Sequence, residues 1–372
     1  MVRRPGRARD ARHPRDRTRQ PRCQRPRGTA APAQPLEDRV QGPGTQGSRA
    51  PRPRRRAAVL MSTVTDTLEF LGRFEPGSPE WLAARTGPDG PRLGGTDAGA
   101  LVGANTFISP YGLAMILTGR AEREETSDDA ERGYLLEPSL AAYFRKMHPE
   151  WEIVDHPGTY ARGWKLANPD ALVYQGGRLV AGGEYKSARY RDEWGEPGTD
   201  EIPLGYWVQV MWYLHIFGLA HWYVVMIGPG LEFAEYVVEY DEEAARALVA
   251  QAAEFRTNLL WGIKPPLDHH PHTYRTLRAA HPEIDESLSI SVSDPVGIRY
   301  VNAEIAAAAA ENELLGAKAA IADEMGRAKK AYLNGQVIAT RRRNRGPHPH
   351  VQAVRNLHKI KLPALEGDPD GQ

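Results

Sequence analysis

The stretch NPDALVYQGGRLVAGGEYK, residues 168–186, decides how this chain is read. Two runs of strand-forming residues, 170–175 and 178–187, flank Gln175-Gly-Gly-Arg178, a hairpin signal because glycine accepts the positive φ of tight turns. Side chains alternate faces along a strand, so Glu184 and Lys186 project to the same side. If Asp170 ends the neighbouring strand, two carboxylates and one ammonium converge on a point. Paired carboxylates are the hard oxygen ligands of Mg²⁺ or Mn²⁺, and a lysine beside them can stabilise negative charge or hold a water. The competing reading is a surface Glu–Lys cross-strand pair worth a few tenths of a kcal/mol.

Neighbouring segments extend the pattern. Residues 204–217 predict a helix on which Gln209 opens an apolar run, with Tyr206 and Tyr213 a turn away on either side. A glutamine buried there needs a hydrogen-bond partner, whereas a boundary glutamine does not. Upstream, Gly133-x-x-x-Glu137 places a carboxylate on a helix able to reach the same cleft, against the commoner fate of a solvated helix face. Further helices are predicted over 78–86 (Ser cap, Pro, then Glu), 96–103, 110–119, 241–261, and 128–147 with a kink or restart at Pro138. Strands are predicted over 151–155, 158–161, 221–228 and 233–240. This order implies an α/β (α+β) core with a central mixed sheet flanked by helices, over residues 61–268. Residues 269–301 read as a linker around one short helix. Residues 302–372 read as an appendage: a long Ala-rich helix over 302–333 ended by Asn334-Gly335, a strand over 336–342, and a basic C-terminal segment.

Charge is segregated along the 372 residues, although the formal net charge is only +1. Residues 1–60 carry +13, residues 61–324 carry −19, and residues 325–365 carry +10 with no acid. The first block has no Phe, Tyr, Trp or Ile and cannot bury enough apolar surface to order itself. It reads as upstream sequence ahead of a true start at Met61, or else as a nucleic-acid-binding arm. The single cysteine, Cys23, excludes an intrachain disulfide framework or a cysteine-held zinc, which fits a reducing cytoplasm. Residues 208–228 are long enough to span a bilayer, but Gln209, His215, Gly218 and His221 interrupt them, so a buried helix followed by a strand is expected.

The motifs Gly133…Glu137-Pro, Asn168-Pro-Asp170, Gly183-Glu184-Tyr-Lys186 and Gln209-x-x-x-Tyr213 resemble, in order and spacing, the PD-(D/E)XK nucleases. Among these the chain looks most like the phage YqaJ-type recombinases, relatives of the lambda exonuclease. Glu80-Trp-Leu-Ala-Ala-Arg85 and Gly94-Gly-Thr-Asp-Ala-Gly-Ala-Leu-Val-Gly103 separate that group from generic RecB-like nucleases. The resemblance covers residues 75–268 and implies a restriction-endonuclease-like core. It implies Asp170, Glu184 and the backbone carbonyl of Tyr185 as metal ligands, with Glu137 reaching a second metal directly or through water. Lys186 would orient or activate the nucleophilic water, and Gln209 would support the lysine and the scissile phosphate. Arg85 and Thr96, the latter where relatives carry Ser, would bind the 5′-phosphate end. The implied activity is Mg²⁺- or Mn²⁺-dependent 5′→3′ digestion of double-stranded DNA ends, supplying 3′ single strands to a single-strand annealing protein. A ring-shaped homotrimer, a phage or prophage origin and action in a bacterial cytoplasm go with it.

Three other features invite function. The loop with Arg189, Tyr190, Arg191 and Trp194 interleaves cations with aromatics and can touch separated strands at a duplex end; the alternative is an exposed loop with a packed Trp. The 325–365 segment, with Lys329, Lys330, Arg341, Arg342, Arg343, Arg345, Arg355, Lys359 and Lys361, suits phosphate tracking, a solvated tail, or contact with a neighbouring subunit's acidic core. His269, His270 and His272 are expected to be exposed linker residues rather than a metal site. Rival functions are a RecB-like endonuclease or single-strand-specific nuclease, and a non-catalytic DNA-binding recombination scaffold.

Overall fold

The computed structural model describes residues 67–123, 127–343, 346–355 and 357–362. The 1–60 block, Met61 and Arg345 lie outside the described residues. In chain order the elements are β1 (Leu68–Gly72), α1 (Pro79–Arg85), α2 (Gly95–Leu101), α3 (Pro110–Leu117), α4 (Asp128–Met147), β2 (Glu152–Asp155), β3 (Thr159–Arg162), β4 (Lys165–Ala167), β5 (Ala171–Gln175) and β6 (Arg178–Ser187). There follow α5 (Leu204–Phe217), β7 (His221–Ile227), β8 (Phe233–Glu239), α6 (Glu242–Leu260), α7 (Pro271–Ala280), α8 (Asp294–Met325), β9 (Lys330–Leu333), β10 (Gln336–Arg342) and β11 (His350–Ala353).

Five strands form the central sheet in the order β2-β5-β6-β7-β8. Only β6 and β7 run parallel, because α5 carries the chain back across the sheet between them; the other neighbours are antiparallel. The mixed α/β architecture expected from the sequence is therefore the one observed. Strand alternation divides the sheet's contacts. Leu172, Trp222, Val224 and Tyr236 pack with α2, α5 and α6, while Ala171, Val173, Tyr185 and Val225 pack with Leu140 and Phe144 of α4. A second sheet, β1-β3-β4, and a third, β11-β10-β9, complete the strands.

The structure departs from the sequence expectations where local signals compete with packing. α4 runs without restart through Pro138, since one missing backbone donor is outweighed by burial of Leu140, Ala141 and Phe144. α7 docks on α3 through buried His272, so the connection begins after this helix rather than at residue 269. His272 is 3% exposed, and its Nδ1 lies 3.3 Å from the Ser109 N–H, contrary to the exposed reading; His269 is exposed and His270 half-buried. α8 starts and ends eight residues before the expected bounds. Tyr332 belongs to β9, because Asn334 (φ 49°) and Gly335 (φ 76°) form a hairpin turn joining β9 to β10 rather than a helix stop. Among the described residues, no helix is long and apolar enough to cross a membrane; the 208–228 run divides between α5 and β7, as expected.

Candidate active site

The site lies where β5 and β6 open away from their hairpin. Ala171 pairs with Gly183, so Asp170, just before β5, comes opposite Glu184. The Asp170 side chain takes over the ladder there: its Oδ2 accepts a hydrogen bond from the Tyr185 N–H at 2.7 Å, and its backbone carbonyl accepts from the His156 N–H at 2.8 Å. Glu184 is only 2% exposed. Its Oε1 accepts from Lys186 Nζ and from Gln209 Nε2, both at 2.5 Å, which brings the α5 glutamine onto the strand pair. Gln209 Nε2 also lies 3.2 Å from the Tyr213 hydroxyl, which donates to the Asn168 carbonyl at 3.2 Å. The Gln209-x-x-x-Tyr213 spacing thus ties α5 to both ends of the motif. Lys186 Nζ lies 5.0 Å from the centroid of the Tyr206 ring, a cation–π contact.

Electrostatics explain what this cluster is short of. Burial raises the Glu184 carboxyl to about 8, and the Asp170 charge adds to the rise. Asp170 is also raised, by burial, with Lys186 opposing. Glu137 is raised to about 7 by burial and by Asp170, while His156, whose Nε2 is 3.8 Å from its Oε2, pulls it down. Lys186 is held firmly protonated: burial alone would lower its pKa, but Glu184 and Asp170 outweigh that. The site therefore holds more carboxylate than one ammonium balances. Glu184 Oε2 is buried with no hydrogen-bond partner, a cost of about 1–3 kcal/mol that a cation would relieve. Among the described residues, no three His, Cys, Asp or Glu side chains close on one point. The geometry accordingly fits a cation held by Asp170 and Glu184, with Glu137 near enough to raise Glu184 further.

The other expected residues have prior engagements. Arg85 pairs with buried Asp97, and its guanidinium lies 4.8 Å from the Trp81 ring; Arg123, which the sequence reading missed, approaches the same Asp97 at 3.5 Å. Thr96 is exposed in the first turn of α2, beside that cluster. Arg189 pairs with Asp129 at 2.7 Å. Arg191 donates to the Tyr236 hydroxyl at 3.0 Å. The Trp194 ring packs on Tyr206 and Tyr236, so the stacking role expected for it gives way to the packed alternative. Exposed Tyr190 of the same loop is covered instead by Arg355, and Lys359 Nζ donates to the Asp192 carbonyl at 3.4 Å. The basic C-terminal segment is thereby anchored on the loop that leaves the Lys186 strand. His156 had one local signal, the Asp155-His-Pro-Gly158 turn, where it takes a φ of 45°.

Gly95 explains how α2 comes so close to the site. A Cβ there would lie 2.8 Å from Gln209 Cγ and 3.1 Å from both the Gln209 carbonyl and the Tyr213 ring. Gly95→Ala is expected to cost about 1–3 kcal/mol by overpacking and to push Gln209 off Glu184. Gly99→Ala, whose nearest new contact would be 3.8 Å away, should be neutral or slightly stabilising. Thermal melts and turnover of the two variants make the check; equal behaviour would show that the close approach is unimportant.

Fold and site together define an α/β protein with a carboxylate-rich, lysine-bearing cleft backed by a helical glutamine. Residues 80–220 match the YqaJ-like viral recombinase domain, so the chain carries a domain of that family. It is 28% identical over 224 residues to the Bacillus subtilis (strain 168) protein described as "Uncharacterized protein YqaJ", covering 58% of this chain and 66%, just under two thirds, of that relative. Among solved structures, an alkaline exonuclease (LHK-Exo) from Laribacter hongkongensis aligns at TM-score 0.37 and 18% identity, over 55% of this chain and all of the other. A phage-related exonuclease from Haemophilus somnus 129PT aligns at TM-score 0.33 and 13% identity, over 52% of this chain and 92% of the other.

Proposed function

We propose that this protein is a divalent-metal-dependent deoxyribonuclease that digests double-stranded DNA from its ends, 5′→3′, leaving 3′ single strands for an annealing protein. One observation carries the reading: Glu184, beside Asp170, is bonded through one oxygen to Lys186 and Gln209 while its other oxygen is buried without a partner. Asp170, Glu184, the Tyr185 carbonyl and Glu137 would hold Mg²⁺ or Mn²⁺, which when bound supplies Lewis-acid neutralisation of a phosphodiester. Lys186, kept protonated by the two carboxylates, acts as a donor rather than a base. It can hold a phosphate oxygen or orient a water in line with the scissile bond. Gln209 fixes the Glu184 carboxylate, and Tyr213 fixes Gln209.

Arg85 and Thr96 would take the 5′-phosphate, with Arg123 restoring the positive charge that Asp97 cancels. Farther out, the exposed Lys329, Lys330, Arg342 and Arg343 would track phosphates. Replacing these four with Gln should flatten the dependence of DNA affinity on salt, by about 0.9 in log–log slope for each phosphate contact removed. An unchanged slope would leave the segment as a solvated tail. The decisive experiment for the activity compares end-labelled linear duplex with closed circles in Mg²⁺. Release of 5′-terminal nucleotides from the linear form, with circles intact, is expected; cut circles would point to the endonuclease reading.

A further inference from the structure

Helix α8 is 32 residues long, yet only Met325 at its end is buried. Its exposed apolar side chains include Ile298 (61% exposed), Val301 (54%), Ile305 (63%) and Leu315 (64%). Ala308 and Asn312 complete their alternating spacing of three and four residues. That is the a/d seam of a coiled coil, and a period of 3.5 residues stays in line only when two helices wrap around each other. The charges respect the seam: Glu304, Glu311 and Lys318 recur every seven residues along one flank. Across Asp294–Met325 there are six acids and two bases, which disfavours DNA as the occupant.

We propose that α8 is a self-association helix that pairs, parallel and in register, with α8 of a second copy of this chain. The register selects a copy of itself. Asn312 finds a matching amide only opposite Asn312 of the second copy, and a single polar residue at such a position specifies alignment at some cost in stability. In the same alignment Lys318 meets Asp323 of the second copy across the seam. An antiparallel pairing about the same residues sets Asn312 against Leu315 and leaves the amide unmatched. The seam ends where Ile321 and Ala322 become half-buried and Met325 buried, next to the chain's own β9 and β11.

Light scattering on the full chain tests this without reference to nuclease activity. The parent is expected at twice the monomer mass, and Ile305→Glu/Leu315→Glu at half the parent's, with the core's melting transition retained. Leu314→Glu, equally on α8 but off the seam, should leave the mass unchanged. In a Cys23→Ser background, which removes the only native cysteine, oxidised Leu315→Cys should give a disulfide-linked dimer and Leu314→Cys should not. A mass that the double substitution does not change, or cross-linking equal at 314 and 315, overturns the proposal.

Discussion

Glu184→Gln is expected to lower metal-dependent nucleotide release by on the order of 10²- to 10³-fold, the usual cost of removing one preorganised electrostatic group. Glutamine keeps the volume and leaves an Oε1 for Lys186 and Gln209, so the folded state should persist. What disappears is the second carboxylate of a pair whose charges raise each other. The melting transition should remain cooperative while the stabilisation produced by Mg²⁺ or Mn²⁺ falls away. A Glu184→Gln protein that digests linear duplex at the parent rate would place the chemistry elsewhere in the molecule.

The second large effect is a dependence of stability on pH that divalent cations reverse. Glu184 titrates at about 8 and Glu137 at about 7 in the folded chain, against 4.5 for a free side chain. Between 4.5 and those values the native state keeps protons that the unfolded chain has lost. Their contribution to stability is therefore full below the unfolded pKa and is lost as pH rises through the folded one. Without divalent metal, the melting temperature should decline from about pH 5 to about pH 8 by this term. A cation binds the ionised carboxylates, so Mg²⁺ or Mn²⁺ should raise the melting temperature more at pH 8 than at pH 5. Glu184→Gln should flatten both trends. A metal effect that is the same at both pH values, and the same in the variant, would contradict the cation site.

Much of this was legible in the chain because the deciding interactions are short-range. Strand alternation puts Glu184 and Lys186 on one face, the Gln175–Arg178 turn brings Asp170 opposite them, and helix spacing stacks Gln209 on Tyr213. The helices over 79–85 and 204–217 follow from a cap and an apolar run. Errors arose where one local signal served two structures. Asn334-Gly335 ends helices and turns hairpins alike, and only the pairing of β9 with β10 chose the hairpin. Pro138 costs α4 a hydrogen bond, but burial against the sheet decides whether the helix continues.

The sequence by itself determined the mixed α/β core and the cast of the candidate site, since period, spacing and residue type are properties of neighbours along the chain. Only the tertiary structure decided which charges stay available. Asp97 claims Arg85 from 12 residues away, Asp129 claims Arg189 from 60, and Tyr206 and Tyr236 enclose Trp194. Only there, too, does Gly95 let α2 close on Gln209, and only there does Glu184 keep a buried oxygen without a partner. Long-range contacts redistribute charge and solvent, and no local pattern records which partner will arrive.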